Sequence, residues 1–152
     1  MKPAAFEFDR SWTFTVPRDS LWSRLSDTSS FSTWWPWLRS FDPVPIEEGA
    51  RTRCTIGPPL PYVLTVDLTV ARVVEFETVD VDVDGDLRGP ARLQLGDGDG
   101  GTTARLHWTL DVQRPMLRRA AMLGRPVLQW GHDWVVRSGV EQFRATLAAE
   151  RR

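Results

Sequence analysis

The last quarter of the chain reads as one long amphipathic helix, residues 126 to about 149, and nearly everything before it alternates as antiparallel strand does. At about 100° per residue, Leu128, His132, Val135, Val136, Gly139, Phe143 and Leu147 fall on one side of that helix, while Arg137, Glu141 and Arg144 fall opposite. The apolar side must be covered, and the cover the sequence offers is sheet. A curved sheet closed by a single terminal helix makes a container.

The strands show by their period of two. Over residues 6–16, Phe6, Phe8, Arg10, Trp12, Phe14 and Val16 share one face and Glu7, Asp9, Ser11, Thr13 and Thr15 the other. Pro17 ends this run, and Asp19 or Ser20 can cap a short helix carrying Leu21, Trp22 and Leu25. A second short helical or turn segment is expected over residues 30–38, broken at Pro36, before a loop marked by Pro43, Pro45 and Gly49. Strands follow over residues 50–56 and 62–74, on either side of Gly57, Pro58, Pro59 and Pro61. Residues 78–84, 87–95 and 103–112 alternate in the same way, the last two joined by a glycine-rich turn at residues 97–101. Pro115 opens a short helix that Gly124 interrupts, and Pro126 opens the long one. Six or more strands with segregated helices define the α+β class.

At 152 residues the chain is expected to be a single domain, 1–152, able to bury a core without disulfides or metals. Its formal net charge of -1 leaves no basic excess to hold phosphate backbones, so nucleic acid is not an expected partner. Cys54 is the one cysteine, which excludes an intrachain disulfide. The first ten residues lack an apolar leader, and no run approaches the roughly 18 apolar residues of a membrane span, from which a cytoplasmic protein is expected. No zinc set can be assembled from Cys54, His107 and His132, and no nucleophile elbow or phosphate loop occurs. The aspartates of residues 80–84 mimic half a calcium loop but lie on a strand, and the twelfth position is Ala91. Neither a metal nor a cofactor is expected.

Several motifs, in their order, resemble one family. Trp34-Trp35-Pro36-Trp37 after the first helix, Leu60-Pro61-Tyr62 opening a strand, Gly85-Asp86-Leu87-Arg88-Gly89, Trp108 in the next strand and His132 early in the last helix are similar to the polyketide cyclase/dehydrase branch of the START-like (SRPBCC) superfamily. The resemblance runs over nearly the whole chain. It implies a helix-grip fold: a strongly bent antiparallel sheet around the C-terminal helix, two short helices after the first strand closing one end, and a cavity between. Where related chains often carry Asn-His in the last helix, this one has Gly131-His132, so the role of that amide is missing here.

Eight tryptophans either fill a core or line such a cavity. The candidate ligand-binding residues are His132, Tyr62, Arg10, Trp12, Trp37 and Trp108. His132 lies in the apolar stripe and could transfer a proton near neutral pH, the alternative being a satisfied core histidine. Tyr62 shares phase with Leu64 and Val66, so its hydroxyl is expected to look inward. Arg10 shares phase with Trp12 and Phe14, where it would meet an anionic group or else turn its guanidinium to the rim. His107 is out of phase with Leu106 and Trp108 and is expected to face solvent. Trp130 and Trp134 lie off the stripe and would pack on the helix of residues 115–123 or stay exposed as a homodimer contact. Two functions follow: binding of a small hydrophobic, aromatic or lipid-like molecule, or a cyclase or dehydratase reaction in which His132 moves a proton.

Overall fold

The structure, a computed structural model, describes residues 5–60, 62–113 and 125–150. The first alternating run forms β1 (Ala5–Phe14), and Pro17 directs the chain into α1 (Arg18–Ser26). Neither Asp19 nor Ser20 caps this helix, because it begins before them: Pro17 is the cap residue, and the Asp19 carboxylate accepts a bond from the Ser20 N–H inside the first turn. A 3₁₀ turn leads to the single-turn α2 (Phe31–Trp34). Then come β2 (Leu38–Phe41), β3 (Arg51–Ile56), β4 (Leu64–Val74), β5 (Thr78–Gly85), β6 (Leu87–Gly98), β7 (Gly101–Val112) and the long α3 (Arg125–Glu150). The expected helix over residues 115–123 lies outside the described residues.

All seven strands are antiparallel, in the order β1-β7-β6-β5-β4-β3-β2. The first two strands in sequence therefore sit on opposite edges, and α1 and α2 carry the chain between them. β2, unforeseen above, is only four residues long and carries a register shift between Leu38 and Ser40. β4 has a second irregularity between Val70 and Arg72, and irregularities of this kind bend and twist a sheet. The β6–β7 ladder pairs Arg88 with Asp111 and resumes at Ala91 with Trp108. Between them lies Gly89 at φ +151°, where a Cβ would stand 2.1 Å from the Thr109 carbonyl oxygen, followed by Pro90, which has no N–H to offer. The alternating strands thus curl, and their concave face receives α3.

The burial of α3 follows its phase. Leu128 and Phe143 are buried, His132, Val135, Val136 and Leu147 partly so, while Arg137, Glu141 and Arg144 are exposed. Phe143 meets Phe14 and Trp34 edge-on, at ring-centre distances of 5.6 Å each. On the outer face Asp80 pairs with Arg92, Asp84 with Arg88, Asp67 with Arg53 and Asp9 with Arg105, each pair bridging adjacent strands. His107 lies on this face too but is half-buried rather than open to solvent. Its cross-strand neighbours are Asp9 and Arg92, and its Nε2 is enclosed without a partner among the described residues.

Candidate functional site: a two-chambered cavity

The space between sheet and α3 is hollow, in two chambers along the helix. The first, about 310 Å³, faces residues 128–136 of α3 and is mainly aliphatic, with Leu64, Val66, Val83, Leu87, Leu110 and Val112 in its walls. The second, about 460 Å³, faces residues 135–143 and is mainly aromatic, with Trp12, Trp22, Phe31, Trp35, Trp37 and Phe143. Ile56, Val81, Ala91, Leu106, Trp108, Val135 and Val136 border both, so the two chambers adjoin across a waist of shared wall residues. Aromatic side chains at and just after the end of α2 meet α3 at one end, Trp34 packing edge-on against Phe143. Trp35 and Trp37 stack with ring centres 5.5 Å apart and donate their indole N–H groups to the Gly139 carbonyl and the Gln142 amide oxygen, each at 2.9 Å. Gly139 permits that approach, since a Cβ there would come within 3.2 Å of the Trp37 ring.

His132 lines the first chamber, but both ring nitrogens are taken. Nε2 lies 3.0 Å from the Trp108 indole nitrogen, and Nδ1 lies 3.1 Å from Asp133 Oδ1. An indole N–H can only donate, so Nε2 is the acceptor and Nδ1 carries the proton toward the carboxylate. Burial pushes the imidazole below its ordinary pKa of 6.5, against the weaker opposing pull of Asp133. Phe6 stacks on the ring with centres 4.7 Å apart. Asp133 itself is 59% exposed and also accepts from Gln129, so a line of hydrogen bonds runs from the surface to the cavity wall.

Tyr62 is buried in the loop before β4 rather than in the strand, and its side chain does point inward. Its hydroxyl rests against α3 at Gly131, where a Cβ would lie 2.1 Å from the oxygen. Glycine at position 131 therefore makes room for this phenol. The hydroxyl has no hydrogen-bond partner among the described residues, and burial raises its pKa, which keeps it a neutral donor. Trp12 and Trp37 line the second chamber and Trp108 both. Arg10 lines neither: it is exposed, with its guanidinium carbon 5.9 Å from the Phe8 ring centre, and its charge helps to hold Asp133 ionised. Cys54, absent from the candidates, is in the first chamber's wall, its thiol pushed up to about 11 by burial. Trp130 is 48% exposed. Among the described residues no group of three or more metal-ligating side chains occurs, and no helix is long and apolar enough to cross a membrane.

No protein-family model and no curated protein matches the sequence. Solved structures do match. Protein Ms6760 from Mycobacterium smegmatis superposes with a TM-score of 0.70 at 15% identity, over 95% of this chain and 92% of that one. Ara h 8.0201 gives 0.67 at 15% identity, over 96% and 99%. A protein of unknown function from Staphylococcus aureus, SA2116, gives 0.66 at 9% identity, over 97% and 98%. These likenesses establish the helix-grip fold over nearly the whole chain.

Proposed function

We propose that this protein binds a small hydrophobic molecule, aromatic or lipid-like, in the hollow between its sheet and α3, as a carrier or receptor within the polyketide cyclase/dehydrase branch of its superfamily. The observation that carries this proposal is the pair of adjoining chambers between sheet and helix, whose volumes fall in the range of small-molecule sites and whose walls are almost wholly apolar. Burying roughly 300 Å² of apolar guest at about 25 cal/mol per Å² contributes about 7 kcal/mol before the costs of association, so the cavity favours a rigid guest that loses little freedom on entry. Trp12, Trp37, Trp108, Tyr62 and His132 would face such a guest.

Proton transfer by His132 would require Trp108 to release Nε2, and that geometry supports binding over a cyclase reaction. Native mass spectrometry of freshly purified protein tests the proposal, with a co-purified apolar compound as the expected result. A protein that carries none and fails to take up any apolar dye would overturn it. His132→Ala separates the two chemistries: affinity changing only a few-fold is expected for a wall residue, whereas loss of a measured turnover would restore the enzyme.

A further inference from the structure

The cavity walls hold very few polar atoms, and nearly all of them are spoken for. The indole N–H groups of Trp35, Trp37 and Trp108 are bonded to α3, and both nitrogens of His132 are occupied. Arg92, the one cationic residue that borders the described walls, turns its guanidinium to the outer face in a two-pronged contact with Asp80. Besides the thiol of Cys54, a weak donor, two hydroxyls remain. Ser26 is half-buried at the end of α1, whereas Tyr62 is buried at the far chamber and held against α3 by the gap at Gly131.

Resting on the binding function above, we infer that the site selects an uncharged guest with a flat ring body and a single hydrogen-bond acceptor, such as an aromatic ester or ketone, and that Tyr62 Oη–H donates to that acceptor. The ring body belongs in the second chamber, among Trp12, Trp35 and Trp37, where aromatic faces stack. The slimmer acceptor-bearing end passes the waist into the aliphatic first chamber. A carboxylate cannot follow it. No free cation lines the described walls, and an ionised group taken into such surroundings loses its hydration without a counter-charge. The neutral phenol supplies one donor, which satisfies a carbonyl and leaves a carboxylate under-bonded.

Three probes that differ only at one end test this: methyl pyrenebutyrate, pyrenebutyrate and butylpyrene, each titrated against quenching of the tryptophan emission at about pH 8, where the acid is ionised. The ester is expected to bind at least about tenfold more tightly than the carboxylate. Tyr62→Phe should weaken the ester about three- to tenfold, the span of one lost hydrogen bond, and leave butylpyrene unchanged. Gly131→Ala, which displaces the phenol by its added methyl, should weaken the ester in the same direction. Carboxylate binding as tight as the ester's overturns the charge selection. Equal effects of Tyr62→Phe on ester and hydrocarbon, or a loss caused by Ser26→Ala instead, overturn the assignment of the donor. If butylpyrene itself fails to bind the wild-type protein, the cavity function falls and this inference with it, a result distinct from the others.

Discussion

His132 shows how one neighbour settles what an imidazole can do. Its folded-state pKa lies below the ordinary 6.5 because the ring is buried, so as pH falls the unfolded chain takes up the proton first. The stability present above about pH 6.5 is therefore expected to drain away below it, until the folded-state value is reached. Asp9, Asp67, Asp84 and Asp133, all held below the ordinary 3.8, add a separate loss at more acid pH, as the pH falls from 3.8 through their lowered folded-state values. Thermal midpoints should thus show two steps, and His132→Gln, which can accept from Trp108 and donate to Asp133 without titrating, should abolish the upper one. An upper step that survives in the variant would assign it elsewhere. The phase of His132 in the helix was plain from the sequence, since a 3.6-residue period is a local property. The bond that occupies its Nε2 was not, because Trp108 arrives from β7 with a register that only the folded sheet defines. For Arg10 the phase left two readings open, an inward guanidinium or one turned to the rim, and the exposed side chain on edge strand β1 follows the second.

Elements were legible in proportion to their length. β4, β6 and β7 exceed ten residues and α3 has 26, enough to display a period, while β2 has four residues and a register shift that destroys its alternation. The break at Gly89 and Pro90 was visible only as composition, yet it is where a central strand departs from regular pairing. Gly89→Ala is expected to destabilise by about 2 to 4 kcal/mol, through a disfavoured positive φ and a clash with backbone that has no room to move. Urea unfolding measures this directly. By contrast Gly139→Ala should be close to neutral, the gain of about 1 kcal/mol in helix propensity offsetting a tight contact with the Trp37 ring. Equal losses at the two positions would show that the β6 irregularity carries no special constraint.

At the scale of the molecule, the hollow depends on bulky rings standing between α3 and the concave sheet, and on short residues, Gly131 and Gly139, where rings must touch the helix. Cys54 reports on that interior. At about pH 8 its thiol, buried and pushed up to about 11, is almost wholly protonated, so disulfide reagents should react far more slowly than with the unfolded chain. Filling the first chamber should slow the reaction further, by several-fold in rate. Labelling that ignores a bound guest would mean that the guest lies elsewhere. The outer face has a consequence for kinetics. Among the described residues four arginine–aspartate pairs answer one another there across adjacent strands, and the chain as a whole is one charge from neutral. Little field extends into the surrounding electrolyte, so arrival of a neutral visitor is governed by diffusion, with capture rates indifferent to ionic strength.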